Sequence, residues 1–346
     1  MSVSQRAASI LSPLRTLTHG VPLTAAERCV SNTQVPMRAP LFGKVREQLL
    51  SNYLLRTPSS VRAIELMKAK GARIHNDHVA LRSFNDGRGG SGLAFLEEIF
   101  LSFGYKAEQK ITIPSLPVNA RWYEPPEVTD WPKVFISELR ADDLPDEVAQ
   151  TISRHVQGYY HTGAARAALD SGDAAGLVDL LEAPPWNVSA AEEEAVRAIG
   201  VARPELASAV EYAAWTLTHA HRWNHMTILL NGSNMPGVRT LQELNAFFHD
   251  EGFAFNGAGG TDGFTQGSEA VRLEQSSTKA DLIKHTFACG TEREVPCSFL
   301  ELIHRHDGFR GFLGQNAKGI FDSTRNADTF SMPLGRDGVA SAVARL

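Results

Sequence analysis

Cysteine is scarce, long apolar runs are missing and basic residues are not in excess in this sequence of 346 residues. Its three cysteines, Cys29, Cys289 and Cys297, form no C-x-x-C pair and cannot all pair with one another, which disfavours both a disulfide framework and a thiolate zinc site. No stretch approaches the roughly 18 uninterrupted apolar residues of a membrane helix. The sequence therefore predicts a protein of a reducing compartment without a membrane partner.

Charge and composition narrow the possible partners further. The 34 Lys and Arg residues are outnumbered by 39 Asp and Glu residues, which gives a formal net charge of -5. Because nucleic-acid-binding proteins need basic side chains to neutralise phosphates, we expect no nucleic-acid partner. With 43% hydrophobic and 21% charged residues, the chain has the composition of an ordinary globular protein.

The first 40 residues have a composition of their own. They contain four arginines, nine serines or threonines and a single acid, Glu27. This composition is typical of an organelle transit peptide, and a disordered tail is the alternative. We expect residues 1–40 to direct the protein to a plastid, with the mitochondrion as the alternative, and residues 41–346 to form a single domain.

The same order of predicted elements occurs twice along the chain. Hydrophobic periodicity predicts a strand, a helix and a later strand at 78–84, 93–103 and 134–139, and again at 224–230, 240–253 and 298–303. From His78 to Gly104 is 26 residues, and from His225 to Gly252 is 27. The agreement predicts a duplicated β-α-β-β-β unit.

The predicted fold is α+β, with the two units forming a metal-binding cup. Unit one is expected over about 72–140, a helical insertion over about 141–220, unit two over about 221–306 and a C-terminal segment over 307–346, after two N-terminal helices. Glu138 and Glu301, each a carboxylate within an apolar strand, are expected at corresponding positions of the two units.

Alternation along the strands selects three candidate metal ligands. Because side chains two residues apart share one face of a strand, His304 and His306 should face away from Glu301. The remaining partners for Glu301 are His78 and His225, each in the first strand of its unit. Two imidazoles and one carboxylate form the facial triad of non-haem iron(II) sites, which leaves positions open for a substrate and O₂.

Another pattern in the sequence offers an alternative. If the helix before His225 continued through that residue, His221 and His225 would be four residues apart on one helix face, like zinc ligands. Position 222 is Arg, not the Glu of an H-E-x-x-H hydrolase. A histidine in a strand is also often a plain hydrogen-bonded side chain, whereas a carboxylate buried without a metal or cation is costly.

Several segments together resemble a known family. They are HNDHVALRSF, VFISEL, YAAWTL followed by NHMTI, LEQSSTKAD, VPCSFLELIHR and HDGFRGFLGQNAKGIFDST. The set is similar to the 2-oxoadipate dioxygenase/decarboxylases, also called 2-hydroxyglutarate synthases, over about residues 42–325, and most of all to their plant-type members. The resemblance implies a vicinal-oxygen-chelate fold, iron(II) as cofactor, His78, His225 and Glu301 as its ligands, and Arg82 as the residue that holds the substrate.

The resemblance also implies a reaction and further site residues. The reaction is oxidative decarboxylation of 2-oxoadipate, a product of lysine breakdown, by O₂ to 2-hydroxyglutarate and CO₂. The segment FLGQNAKGIF puts Gln315 and Asn316 at a substrate-contact position, where bacterial members have a Val-Ser pair. Polar groups in or behind the pocket are expected within LEQSST, namely Gln275, Ser276 and Ser277, together with the carboxylate of Glu138.

Two other functions remain open from the sequence. One is a glyoxalase-type isomerisation or a hydrolysis on zinc or nickel, which Glu138 within reach of the metal would favour. The other is a non-catalytic organellar binding protein, which a lack of O₂ consumption by the iron-loaded protein would favour. The sequence makes no prediction of oligomeric state.

Overall fold

The computed structural model describes residues 34–325, apart from 115, 128, 162 and 258. The predicted transit peptide therefore lies outside the described residues up to position 33. Residues 34–40, which were assigned to it as well, form the beginning of a helix, so the boundary predicted at 40 falls inside that helix. Arg38 in this part of the helix lies 3.5 Å from the carboxylate of Asp170.

Helices and strands follow the predicted order, with the helical insertion between two strand-rich parts. The helices are α1 Gln34–Arg56, α2 Pro58–Ala69, α3 Gly92–Ser102, α4 Asp146–Val156, α5 Ala164–Ser171, α6 Ala174–Glu182, α7 Ala190–Ala202, α8 Ala207–His219, α9 Leu241–Asp250 and α10 Gly314–Phe321. The strands are β1 Asn76–Asn85, β2 Lys106–Ile111, β3 Val118–Glu124, β4 Lys133–Arg140, β5 Trp223–Leu229, β6 Gln266–Ser268, β7 Leu273–Ser277, β8 Leu282–Thr286, β9 Glu292–Pro296 and β10 Phe299–Arg305.

Eight of the strands form one mixed sheet in the order β2-β3-β4-β1-β5-β10-β7-β6. At its centre β1 and β5 run antiparallel, with Val79 opposite Met226. Each has a parallel outer neighbour, β4 beside β1 and β10 beside β5. The two halves of the sheet thus have the same strand order, read outwards from the centre, as the duplication predicted.

Each half also has its predicted helix, and local sequence explains where these helices begin. Thr240 accepts a hydrogen bond from the backbone N–H of Glu243, and the Glu243 side chain bonds back, which completes a capping box at α9. Ser189 and Glu192 form the same box at α7. In the first half, the Ser91 side chain accepts from the backbone N–H of Ala94 and caps α3.

Alternating side chains divide the core into two layers, one on each face of the sheet. Val79, Leu81 and Met226 pack with α1, α2, α3 and α9 on one face. Ala80 and Phe135 pack with α4, α7 and α8 on the other. The candidate site lies on the α8 face, so that the sheet forms its floor and helices cover it.

The alternative of a helical zinc motif is wrong. α8 ends at His219, and Ala220 has a φ of 54°, which turns the chain out of the helix before β5 begins at Trp223. His221 therefore lies in a turn and His225 in a strand, and the two do not share a helix face. In the described part of the chain, no helix has the length and apolar character that crossing a membrane requires.

Candidate metal centre

Three neighbouring strands at the centre of the sheet each carry one of the predicted ligands. His78 lies on β1, His225 on β5 and Glu301 on β10, and all three side chains line one pocket. The distance to Oε2 of Glu301 is 3.0 Å from Nε2 of His225 and 3.4 Å from Nε2 of His78. The three donor atoms lie within 4.8 Å of one another. The structure thus brings the three residues together, at exposures of 2%, 6% and 1%.

Each histidine is oriented through its other ring nitrogen. Nδ1 of His78 lies 2.8 Å from Oδ2 of Asp77, and Nδ1 of His225 lies 3.2 Å from Oδ1 of Asn224. Because both partners are acceptors, Nδ1 of each ring can donate to its partner, which fixes the ring and leaves Nε2 facing Oε2 of Glu301. The two Nε2 atoms are therefore directed to the space beside Glu301.

Asp77 links His78 to a buried arginine. Arg305 donates to both carboxylate oxygens of Asp77, through Nε at 2.8 Å and Nη2 at 2.7 Å. Burial raises the pKa of Asp77, but the Arg305 guanidinium outweighs this effect and holds the pKa well below its usual range. Asp77 is therefore an ionised acceptor for His78 at neutral pH, and Arg305 fixes its position.

The carboxylate of Glu301 has its own supports. Nε2 of Gln275 donates to Oε1 at 2.6 Å, and Oγ1 of Thr227 donates to Oε2 at 3.3 Å. Burial raises the pKa of Glu301, but the two histidines lower it well below its usual range. Gln275 thereby engages one oxygen and leaves Oε2 facing His78 and His225.

This donor set fits a divalent transition metal. Two imidazoles and one carboxylate on one side of an ion leave other coordination positions open, as in non-haem iron(II) oxygenases. Asp77 and Asn224 accept from Nδ1, which would leave Nε2 of each histidine free to bind an ion, and an outer partner thus orients each imidazole. His78, His225 and Glu301 would therefore be the residues that hold the ion.

Arg82 lies in the same pocket and has no ion-pair partner among the described residues. Its guanidinium carbon lies 4.9 Å from the ring of Tyr212, 5.0 Å from that of Trp215 and 5.2 Å from that of Phe321. Nη2 donates to the backbone oxygen of Phe321 at 3.2 Å. Burial lowers the pKa of Arg82 to about 10, so the side chain stays cationic at neutral pH.

Apolar side chains and α10 close the pocket. Its walls include Ala80, Phe135, Phe312, Ala317, Ile320 and Phe321. The space between them has an empty volume of about 400 Å³, which includes its opening to solvent. Because α10 supplies part of this wall, we expect its position to affect the entry of a substrate.

Two predicted substrate residues lie outside the metal pocket. Gln315 and Asn316 line a separate cleft together with Gln266, and the Asn316 amide donates to the backbone oxygen of Leu273 at 3.4 Å. The reason is helical geometry: α10 presents Ala317 and Phe321 to the metal pocket, and positions 315 and 316 lie on another side of the helix.

The LEQSST segment divides between the two faces of the sheet. Gln275 contacts Glu301 as described, and Ser277, two residues on, shares a 2.7 Å hydrogen bond with Ser323. Ser276 points the opposite way and donates to Asn245 on α9 at 2.7 Å. Of the three predicted polar residues, Gln275 reaches the metal pocket.

Glu138 is not the counterpart of Glu301, and this expectation is wrong. In strand register Glu301 pairs with Thr227 and Phe135 pairs with Ala80, which makes Phe135 the equivalent residue in the first half. Glu138 faces the other side of the sheet, where it accepts from the backbone N–H of Leu93 at 3.0 Å near the start of α3. A single carboxylate therefore meets the two histidines.

Sequence reasoning missed the residues behind the ligands, chiefly Asp77 and Arg305. Alternation puts Arg305 on the same face as Glu301, which was a usable signal. It puts Asp77 on the face opposite to His78. A register shift in β1 between Asn76 and His78 interrupts the alternation, so that the Asp77 side chain can reach His78. Sequence periodicity does not reveal such a bulge.

Comparison with known proteins identifies the family of this chain. The family model described as 2-oxoadipate dioxygenase/decarboxylase matches residues 34–306. The chain belongs to this family. It is 29% identical to the chloroplastic 2-oxoadipate dioxygenase/decarboxylase of Arabidopsis thaliana, over 82% of this chain and 77% of that protein. It is 28% identical to the chloroplastic/amyloplastic protein of Oryza sativa subsp. japonica, over 94% of this chain and 93% of that protein.

Solved structures agree with the family at the level of the fold. The hydroxyglutarate synthase of Oryza sativa, crystallised in complex with 2-oxoadipate, has a TM-score of 0.66 and 27% identity, over 92% of this chain and 98% of that chain. A glyoxalase-superfamily protein of Ralstonia eutropha has a TM-score of 0.58 and 21% identity, over 78% and 84% of the two chains. The predicted α+β fold of vicinal-oxygen-chelate type is confirmed.

Proposed function

We propose that the protein is an iron(II)-dependent dioxygenase that converts 2-oxoadipate and O₂ to 2-hydroxyglutarate and CO₂. The observation that carries the proposal is the convergence of His78, His225 and Glu301 in a buried pocket that also contains the cationic side chain of Arg82. Membership of the 2-oxoadipate dioxygenase/decarboxylase family supports the same reaction.

Iron(II) bound by the three ligands would supply open coordination positions for a chelating 2-oxo acid and for O₂. The ligands are prepared for this role by the chain itself. The Arg305–Asp77 pair fixes the ring of His78, and Gln275 fixes the carboxylate of Glu301. Preorganised ligands of this kind need little rearrangement when an ion binds.

Arg82 is the residue that we expect to bind the distal carboxylate of the substrate. A buried cation without an anionic partner is unfavourable, and a diacid substrate would provide that partner. The guanidinium donates to the Phe321 backbone oxygen and lies near the Thr324 hydroxyl, 3.5 Å away. A carboxylate is a stronger acceptor than either group and could replace them.

The apolar wall would protect the reaction from bulk water. Phe135, Phe312 and Phe321 surround the ligands, and the ring of Phe312 contacts that of His78 edge-on at 4.8 Å between centroids. Exclusion of water strengthens the attraction between Arg82 and a bound carboxylate. This wall is apolar, so polar contacts are available only at the ligand cluster and at Arg82. The two polar ends of a substrate would bind there, and its apolar middle would lie against the wall.

We also propose that the protein acts in a plastid, on 2-oxoadipate from lysine catabolism. The named relatives from Arabidopsis and rice are chloroplastic or chloroplastic/amyloplastic proteins. The Arg-, Ser- and Thr-rich composition of residues 1–33 agrees with such a location. A fluorescent fusion of residues 1–33 should enter plastids, and its accumulation in mitochondria would instead support the alternative.

The glyoxalase-type alternative loses its main support in this geometry. Glu138 within reach of the metal would have favoured it, but the Glu138 carboxylate lies on the other face of the sheet beside α3. No observation on the described residues favours that reaction over oxidative decarboxylation.

The test is O₂ uptake by the iron-loaded protein across a panel of 2-oxo acids. We expect uptake with 2-oxoadipate and formation of one CO₂ and one 2-hydroxyglutarate per O₂. Glu301→Gln should abolish uptake, because it removes a charged ligand. Glu138→Gln is the matched control, a buried carboxylate in β4, and it should keep uptake. Uptake by Glu301→Gln, or none by the loaded wild type, would contradict the proposal.

A further inference from the structure

Two imidazoles and a carboxylate also meet on the opposite face of β10 from Glu301. They belong to His304, His306 and Glu274, whose donor atoms lie within 4.8 Å of one another. His304 is directly opposite Glu274 in the pairing of β10 with β7, and His306 lies two residues further along on the same face. The group is therefore built on paired backbone and not on a loose surface loop.

The distances within this group are compatible with an ion site. Oε2 of Glu274 lies 2.9 Å from Nε2 of His306 and 3.5 Å from Nδ1 of His304. Donor atoms on a tetrahedral zinc ion with bonds of about 2.0–2.1 Å lie about 3.4 Å apart. An ion could therefore be accepted with small side-chain rotations.

The carboxylate is held as it is in the first site. Nε2 of Gln242 donates to Oε1 of Glu274 at 2.9 Å, which leaves Oε2 facing the two imidazoles. Gln275 does the same for Glu301. In both groups, a glutamine amide engages one oxygen and two histidines surround the other.

One nitrogen of the group lacks a partner. Nδ1 of His304 is buried and has no hydrogen-bond partner among the described residues, although it lies near the carboxylate. The two imidazole rings lie 4.2 Å apart between centroids. Two protonated rings at this distance would repel each other, whereas two neutral rings can share a cation. An unpaired buried nitrogen that faces a carboxylate is what a metal ion would satisfy.

We propose that Glu274, His304 and His306 bind a second divalent ion of the zinc type, with water completing its coordination. Imidazole and carboxylate ligands suit zinc and its neighbours in the first transition row. The side chains are 17%, 15% and 12% exposed for His304, His306 and Glu274, so water can reach the site from solvent. This site is independent of the proposed dioxygenase activity, because it lies across the sheet.

The test is to titrate the metal-free full chain with Co²⁺ and Zn²⁺ and to determine how many ions bind. Calorimetry measures binding of both ions, and visible absorption measures binding of Co²⁺. We expect two equivalents for the wild type and one for His306→Ala. In the His78→Ala/His225→Ala protein we expect one equivalent of metal, and Co²⁺ in that site should give visible absorption bands. When Glu274→Gln is added to this protein, the affinity of the remaining site should fall by more than about 100-fold. Glu274→Gln changes no volume and guards against loss of folding.

His249→Ala is the matched control, since His249 is an exposed imidazole on α9 outside the group. It should leave two equivalents. Zn²⁺ should also raise the melting temperature of the His78→Ala/His225→Ala protein, and this rise should vanish with Glu274→Gln. A single equivalent in the wild type, or an unchanged second equivalent in both Glu274→Gln and His306→Ala, would overturn the proposal.

Discussion

Arg82 is the side chain on which we expect the choice of substrate to depend. It is 1% exposed, is surrounded by three aromatic rings and lies near the two histidines in the pocket. Burial of a cation without a carboxylate partner costs stability, and the chain retains this arrangement in its candidate site. Such a residue is suited to bind an anion that arrives from outside, and this is how a diacid would be distinguished from a monoacid.

Replacing Arg82 by Met should therefore remove the preference for a diacid. Loss of a buried charged pair costs about 2–5 kcal/mol, or roughly 30- to several-thousand-fold in specificity. We expect wild-type kcat/KM to favour 2-oxoadipate over 2-oxohexanoate by such a factor, and Arg82→Met to lower 2-oxoadipate turnover while iron remains bound. Arg82→Lys should lie between the two, because it keeps charge without bidentate geometry. Equal use of both acids by the wild type would exclude this role.

The Arg305–Asp77–His78 connection predicts an effect on metal affinity. Asp77→Asn keeps the volume but removes the charge that Arg305 and Nδ1 of His78 both contact. Loss of such an outer partner lowers metal affinity about 10- to 100-fold, which a competition titration with a chelator can measure. Asn224→Ala, which removes the neutral partner of His225, should have a smaller effect. Equal affinity of Asp77→Asn and wild type would show that the pair serves stability alone.

The convergence of His78, His225 and Glu301 was predictable, because the repeat of the units and the parity of the strand positions put the three side chains on one face. Their partners were not, since Asp77 depends on a bulge and the surroundings of Arg82 come from α8 and α10, far away in sequence. Gln315 and Asn316 lie outside the metal pocket for a related reason. A sequence resemblance indicates which segment contacts the substrate. The rotation of a short helix about its own axis then determines which side chains of that segment face the pocket.

Among the elements, we expect α10 to control access to the site. Its residues Ala317, Ile320 and Phe321 form one wall of the pocket, and its first residue, Gly314, packs against the loop between β2 and β3. A Cβ atom at Gly314 would lie 1.8 Å from the backbone oxygen of Thr112. This close approach fixes where the helix begins.

Gly314→Ala should consequently displace α10 and weaken substrate binding. Overpacking of this kind costs typically about 1–3 kcal/mol of stability, and we expect a raised KM for 2-oxoadipate with less change in kcat. Gly43→Ala is the control: a Cβ there meets nothing within 4 Å in the middle of α1. That variant should be more stable, by about 0.5–1 kcal/mol in a helix. An unchanged KM for Gly314→Ala would show that α10 does not control access.

The strands that were predicted best are those buried on both faces. β1, β4, β5 and β10 consist mostly of buried residues, and their bounds differ from the predicted ones by two residues at most. The hairpin of β8 and β9 was not predicted. Its strands are largely exposed or half-exposed, carry many polar residues and pair with each other outside the main sheet, so they lack a hydrophobic period.

Across the protein as a whole, duplication of the fold does not duplicate the site. Strand order repeats from the centre of the sheet outwards, but Phe135 occupies the position that Glu301 has in the other half. The first half supplies His78 and Arg82, and the second supplies His225, Glu301 and their outer partners. A site shared in this way depends on the packing of the two halves against each other and on the helices around them.

One buried carboxyl group in this packing predicts how stability varies with pH. Asp281, between β7 and β8, is fully buried and accepts a hydrogen bond from Ser59 in the first turn of α2. Burial raises the pKa of Asp281 to about 7 from an ordinary 3.8. The folded protein therefore holds a proton that the unfolded chain releases above about pH 4, so stability falls between pH 4 and 7 and changes no further above that.

Asp281→Asn carries no proton to release, and it should lose this dependence. A shift of about three pKa units corresponds to a free energy on the order of 4 kcal/mol, so the stability of the variant relative to wild type should rise by up to this amount from pH 4.5 to pH 8. Urea unfolding of the metal-free proteins at several pH values measures the difference.

Asp262→Asn is the control. The Asp262 carboxylate accepts several hydrogen bonds that outweigh burial and lower its pKa, so its titration lies below this range and its difference from wild type should stay constant. A constant difference for Asp281→Asn as well would mean that the buried carboxyl group is not protonated in the folded protein.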